Sequence, residues 1–185
     1  MKMINTKTGI VILLILAAAL SRLFTVMPNF TPIGAIALFA AAYFSSRAVS
    51  YIIPFVAIYL SSLVLNNVVY SSDEFIWMGA NFPFQVAGFS LIVLMGSRTL
   101  RKVNVASILG SAFAGAVVFF LVTNFGSWII DYGNIYPNNF SGLMAAYAAG
   151  IPFFKNTLMG DLCYSTILFG SYALLKARLP QLATS

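Results

Sequence analysis

The hydrophobic positions of the chain fall into long apolar runs that short polar segments separate. A helix needs about 20 apolar residues to cross the hydrocarbon core of a bilayer. Six runs reach or approach that length, and they cover residues 9–26, 33–44, 49–70, 75–96, 105–130 and 156–175. The second run is short, and Pro32 suits the start of its helix because proline is favoured in a first turn. The pattern predicts an all-α integral membrane protein with six transmembrane helices in a single domain, residues 1–185.

A seventh apolar segment, residues 142–154, precedes the last run. Gly150 and Pro152 interrupt it, and it is too short to span a bilayer alone. Irregular backbone at membrane depth is tolerated only where protein or water satisfies its polar groups. We therefore expect a re-entrant or lid helix before the last span.

The composition agrees with a membrane protein and excludes several kinds of site. Hydrophobic residues make up 61% of the chain and charged residues 8%, against about 25% charged in soluble domains. The chain has no His and one Cys, which excludes His-based catalysis, a His/Cys zinc site and a disulfide framework. Its four acidic residues make a carboxylate-rich metal centre hard to build. No nucleotide-binding or nucleophile motif occurs, so we expect neither an enzyme nor a bound cofactor.

The placement of charge predicts the orientation. Basic residues cap the apolar runs and form no continuous patch, so the net charge of +6 indicates membrane topology and not nucleic-acid binding. With the N-terminus inside, Asp73, Glu74 and Asp131 fall in outer loops. The basic residues on the cytoplasmic side are then Lys2, Lys7, Arg47, Arg98, Arg101, Lys102, Lys176 and Arg178. The positive-inside rule thus predicts that both termini are cytoplasmic.

The first run has an alternative interpretation. Lys2 and Lys7, the apolar run and the small residues at 17–19 resemble a signal peptide. Cleavage after Ala19 would leave five spans. The apolar character continues to Met27, however, and that length favours a transmembrane helix.

Three polar or amphipathic side chains recur at helical spacing in the fourth run. Trp77, Asn81 and Gln85 stand at i, i+4 and i+8, so a helix would carry them on one face. An amide that faces lipid lacks partners, so this face must meet protein or water. Two interpretations stay open, a ligand cavity and hydrogen bonding between helices.

The last run contains an ionisable residue, Asp161, inside its apolar segment, and Asn156 stands near the start of the same run. An ionisable group within a membrane is a candidate functional residue whose partner has to be identified. The unassigned cations are Arg22 and Lys155. An Arg22–Asp161 ion pair could tie the first helix to the last, or either group could meet a charged ligand.

Further aromatic and amide residues lie at the outer ends of the later runs. Asn124 and Trp128 end the fifth run, and Tyr136 lies in the long loop that follows it. Aromatic belts at the membrane interface account for such residues, and a loop of this length also suits a lid. The candidate substrate-binding residues are Trp77, Asn81, Gln85, Asn124, Trp128, Tyr136, Asn156 and Asp161.

Three segments resemble a known group of transporters. They are Arg22-Leu23 with residues 27–35, the run 123–128, and residues 150–154 leading to Gly160-Asp161-Leu162. They look similar to an uncharacterised branch of transport proteins related to the S components of energy-coupling factor vitamin transporters. The resemblance implies a substrate-binding protein of the bacterial cytoplasmic (inner) membrane that captures a vitamin or similar small micronutrient at its outer face. It also implies association with a coupling membrane protein and two ATPase subunits.

Other functions remain open on the sequence. Asp161 and Lys155 could serve as coupling groups in an ion-coupled small secondary carrier, although the inverted repeats of many such carriers are not evident. A structural membrane subunit is the other alternative. The few charges favour a neutral or singly charged ligand with a flat ring.

Overall fold

The computed structural model describes residues 6–24, 27–70, 74–130 and 135–179. These residues form six α-helices, two of which continue into a short helical turn of another type. A 3₁₀ turn, Arg22–Phe24, follows α1, and a π-helical turn, Leu65–Val69, follows α3. The helices are α1 Thr6–Ser21, α2 Ile33–Tyr43, α3 Arg47–Val64, α4 Phe82–Thr99, α5 Val105–Ile129 and α6 Phe140–Arg178.

The short helix α2 occupies the centre of the bundle. Every residue from 33 to 40 is buried, and α2 packs against α3, α4 and α6 as well as α1 and α5. A helix that is apolar all round is stable only where other elements surround it. At 11 residues its length is about 16 Å, and α2 is the core helix of the bundle.

Within the described residues, four helical segments are long and apolar enough to cross a membrane. They are Thr6–Phe24, Arg47–Val69, Val105–Ile129 and Phe140–Arg178. This confirms an all-helical protein with the features of a multi-pass membrane protein. Six spans, with both ends inside, stay a prediction.

Three of the predicted runs coincide closely with observed helices, and the first of them, 33–44, is α2. The run 105–130 is α5, which begins where Asn104 accepts a hydrogen bond from the Ser107 amide and the Ser107 hydroxyl accepts one from the Asn104 amide. Such a capping box satisfies amide groups that a helix start leaves unpaired. The run 49–70 is α3 with its π-helical turn, and Pro54 lies buried inside it.

The predicted re-entrant or lid helix before the last span is wrong. Residues 142–154 belong to α6, a single helix of 39 residues that continues through Gly150 and Pro152. A proline removes one intrahelical hydrogen bond, whereas ending the helix in an apolar environment would leave several backbone groups unsatisfied. At about 58 Å, α6 is much longer than a hydrocarbon core of about 30 Å.

The start of the fourth helix also differs from the prediction. The sequence predicts a helix from residue 75, but α4 begins at Phe82, with Pro83 in its first turn. Proline is favoured at that position because it has no amide hydrogen to leave unpaired. Trp77 therefore lies outside the helix, and the predicted face that joins it to Asn81 and Gln85 does not form.

Candidate functional site

A cavity of about 370 Å³ lies at the end of the bundle where α2 and α4 begin and where α1 and α5 end. The first half of α6 closes one side of it. The lining residues that carry polar or charged side chains are Arg22, Asn29, Thr31, Asn81, Gln85, Thr123, Asn124, Ser127, Tyr136, Thr157 and Asp161.

The amide groups of α4 and α5 form one wall. Asn81 Nδ2 donates to the Thr123 carbonyl oxygen at 3.1 Å and to Ser127 Oγ at 3.0 Å. Asn81 Oδ1 is buried and has no hydrogen-bond partner within the part of the chain that the structure describes. An unpaired buried acceptor is costly unless another group meets it. Asn81 thus makes the interhelical hydrogen bonds of the first interpretation, and it also lines the cavity.

Phenylalanine rings supply the apolar surface of the cavity. Phe89 stacks on Phe119, with the ring centroids 4.6 Å apart and the planes inclined by 28°. Phe120 meets Phe154 at a centroid distance of 5.1 Å. All four rings line the cavity, which thus combines apolar walls with a few polar groups, as ligand sites usually do.

Arg22 contributes a cation from the 3₁₀ turn after α1. Its Nη1 donates to the hydroxyl groups of Ser61 and Ser62 on α3, the second at 3.1 Å, and to the Ile58 carbonyl oxygen at 3.5 Å. Its Nε is buried and has no partner within the described ranges. Because α3 holds one side of the guanidinium, the group is fixed at the edge of the cavity.

Asp161 contributes a carboxylate from the middle of α6, and only 4% of the residue is exposed. It accepts a hydrogen bond from the backbone N–H of Ala35 in the first turn of α2. A Cβ atom at Gly34 would collide with the same carboxylate, so only glycine permits this approach. Asp161 thus caps α2 from another helix, in a position that the helix dipole favours for a negative charge.

The predicted ion pair between Arg22 and Asp161 is not formed in the structure. Both side chains line the cavity, but within the described residues no salt bridge joins them. Arg22 bonds to α3 and Asp161 to α2. Local partners on adjacent helices satisfy part of each charge, which removes the need for the longer contact.

The structure brings most of the predicted site residues together. The ones that line the cavity are Asn81, Gln85, Asn124, Tyr136 and Asp161. Asn156 instead donates to the Pro28 carbonyl oxygen at 2.9 Å, and Trp128 to the Pro137 carbonyl oxygen at 3.0 Å. These two bonds hold the loops at the cavity end. Neither Asn156 nor Trp128 lines the cavity. Trp77 is 68% exposed and packs against the ring of Phe75.

The phenylalanines of the cavity were not predicted from the sequence. Phe89 follows Gln85 by four residues, and Phe120 precedes Asn124 by four. Residues four apart share a helix face, so both could have been found by extending the faces of the polar residues. Phe153 also lines the cavity, and it stands four residues before Thr157 on the same helix face.

The cavity offers one carboxylate, and the described residues contain no group of three His, Cys, Asp or Glu side chains that could hold a metal ion. The arrangement suits reversible binding of a small molecule by hydrogen bonds, ring contacts and fixed charges.

Comparison with known proteins places the chain in a family. No curated protein and no solved structure matches it. The model of a family of unknown function, DUF6580, matches residues 2–182. That match covers nearly the whole sequence, and the chain therefore belongs to the DUF6580 family.

Proposed function

We propose that this protein is a membrane substrate-binding protein that captures a vitamin or similar small micronutrient from the outer face, as the S components of energy-coupling factor transporters do. The observation that carries the proposal is the cavity of about 370 Å³, which amides, hydroxyls and phenylalanine rings line together. Its volume falls within the range of about 300–1,000 Å³ that is typical of small-molecule sites.

The polar side chains of the cavity support a ligand more than they support packing. A site used only for helix packing would pair its polar groups across the interface. Here the Asn81 carbonyl oxygen and Arg22 Nε are buried without a partner among the described residues. Both residues line the cavity.

The distribution of charge supports an outward-facing cavity. Arg22 and Lys155 are the described cations at the cavity end. The other described cations lie at the opposite ends of the helices, and they are Lys7, Arg47, Arg98, Arg101, Lys102, Lys176 and Arg178. By the positive-inside rule the end opposite the cavity is cytoplasmic, so the cavity faces outward. The proposed protein is a multi-pass protein of the bacterial inner membrane with six spans and both termini inside.

Cysteine labelling tests this orientation in a Cys163→Ala background, because Cys163 is itself exposed. Asn138→Cys, in the exposed segment before α6, is expected to react with an impermeant thiol reagent added to intact cells. Ser45→Cys, exposed between α2 and α3, is expected to react only after the membrane is opened. Labelling of Ser45→Cys in intact cells would contradict the proposed topology.

The function itself is tested by filling the cavity. Ala149 and Ala148 are neighbours on α6 and both are exposed, but only Ala149 lines the cavity. We expect wild-type protein, gently purified from cells grown in rich medium, to carry a small molecule that native mass spectrometry detects. Ala149→Trp should lose that molecule because the indole occupies its space, while Ala148→Trp should keep it.

Size-exclusion chromatography shows whether both tryptophan variants keep the fold. A folded Ala149→Trp variant that retains the bound molecule at the wild-type level would contradict this site. A wild-type protein that carries nothing, even after dialysis against a filtrate of rich medium, would contradict the function. ATPase subunits and a coupling membrane protein, if retained in the same spectra, would extend the likeness to S components.

A further inference from the structure

We infer that the ligand of this cavity is a zwitterion, a flat-ring compound that presents a carboxylate to Arg22 and a protonated amine to Asp161. The inference rests on the proposed function and gives its substrate a chemical class. It follows from two opposite charges that line one cavity, are held by different helices, and do not pair with each other.

The guanidinium of Arg22 is only partly used by the protein. Its hydrogen bonds to described residues all come from Nη1, to α3. Nε is buried and has no partner among those residues, so a ligand would meet the rest of the guanidinium. A guanidinium N–H forms a short, charge-assisted hydrogen bond with a carboxylate oxygen. The hydrogen bonds to Ser61 and Ser62 hold Nη1 and keep the group at the cavity.

The carboxylate of Asp161 also keeps unused capacity. An ionised carboxylate has about four acceptor positions, and the structure shows one N–H donor, from Ala35. Asp161 lines the cavity, so its remaining acceptor positions suit a donor group on a ligand. A protonated amine supplies both the donors and the opposite charge.

The separation of the two charges favours a ligand with both signs. Burying a charge is costly unless partners offset it. The protein supplies part of that compensation to Arg22 and Asp161. A singly charged ligand would add to it at only one of the two groups, and a neutral ligand at neither. Lys155 does not compete for the anion, because it is exposed and outside the cavity lining.

The rings of the cavity define the middle of the ligand. Phe89, Phe119 and Phe120 line the space together with the two charged groups. Aromatic side chains pair with flat rings through offset or edge contacts, beyond the effect of area burial. A ring that bears the two charged groups uses all of these features at once.

The test is equilibrium dialysis of the purified full-length protein in lipid nanodiscs against a defined set of probes. Two zwitterions differ in the spacing of their charges, para-aminomethylbenzoate and phenylalanine. The matched controls are para-methylbenzoate as the anion, para-methylbenzylamine as the cation and para-methylbenzamide as the neutral compound. We expect at least one zwitterion to bind about tenfold or more tightly than each control, as one charge-assisted hydrogen bond would give.

Variants assign the two ends of the ligand. Arg22→Gln should weaken binding of the zwitterion and the anion by about tenfold or more and leave the cation unchanged. Asp161→Asn should weaken binding of the zwitterion and the cation and leave binding of the anion unchanged. Lys155→Gln, which removes an exposed cation outside the cavity, should bind every probe like wild type. Arg22→Lys keeps the charge but replaces the planar guanidinium with an ammonium group, so it should recover only part of the affinity. This variant is measured in place of Arg22→Gln if Arg22→Gln does not fold.

Several results would overturn the inference. Controls that bind as well as both zwitterions, no binding of any probe, or variants that fold and bind the zwitterion like wild type would each do so. The proposed function would still stand in these cases if native mass spectra show a molecule that the wild type retains and Ala149→Trp loses. Absence of that molecule as well contradicts both.

Discussion

Replacing Gly34 with alanine is expected to destabilise the protein by about 1–3 kcal/mol, the range for overpacking a tight interior. An alanine Cβ would collide with the carboxylate of Asp161. The carboxylate has little room to move, because it is buried and bonded to the Ala35 amide. The first turn of α2 and the middle of α6 would therefore have to separate.

The measurement is the thermal unfolding midpoint of the purified protein in detergent, with Gly170→Ala as the matched control. Gly170 also lies in a helix, but a Cβ there would meet nothing within 4 Å. Alanine has a higher helix propensity than glycine by about 1 kcal/mol, so Gly170→Ala should unfold at the same temperature or higher. A Gly34→Ala variant as stable as Gly170→Ala would show that α2 and α6 do not approach this closely.

The second large effect is expected for Asp161→Ala, which removes the carboxylate that caps α2. The residue before α2 is Pro32, whose side chain makes no capping hydrogen bond. Without Asp161, the Ala35 amide is left without its carboxylate partner in a buried region, and an unsatisfied buried donor costs about 1–3 kcal/mol. We expect a loss of that size in the free energy of unfolding. Asp161→Asn should recover part of it because its side-chain oxygen can still accept.

A double-mutant cycle separates the two effects. In the Asp161→Ala background the obstacle to a Cβ at residue 34 is gone, so Gly34→Ala should cost less than about 1 kcal/mol. The same thermal measurement applies to the single and double variants. Additive losses would contradict a direct contact between these two residues, and an Asp161→Ala variant that unfolds like wild type would contradict the cap.

Much of the candidate site follows from local sequence. Gln85 with Phe89, and Asn124 with Phe120, stand four residues apart on α4 and α5, and all four line the cavity. The helix period alone puts each pair on one face. The prediction that Trp77 lies on this face was wrong because it depended on where α4 begins. The helix begins at Phe82, with a proline in its first turn.

The contacts of the charged groups could not be derived from the sequence in this way. Arg22 and Asp161 were the natural pair by charge, yet Arg22 bonds to Ser61 and Ser62, and Asp161 to Ala35. Each of these contacts joins residues on different helices. Their formation depends on how the helices are placed, which the helix period does not determine.

The sequence by itself determined that the protein is helical and apolar, and where α2, α3 and α5 lie. These features follow from composition and from period, which are local properties of the chain. Only the tertiary structure decided that α2 is the buried centre, that α6 runs unbroken through Pro152, and that Arg22 and Asp161 face one cavity from separate supports. The physical reason is that a buried polar group takes whichever partner the packed helices bring within hydrogen-bond distance, and that partner can lie anywhere in the chain.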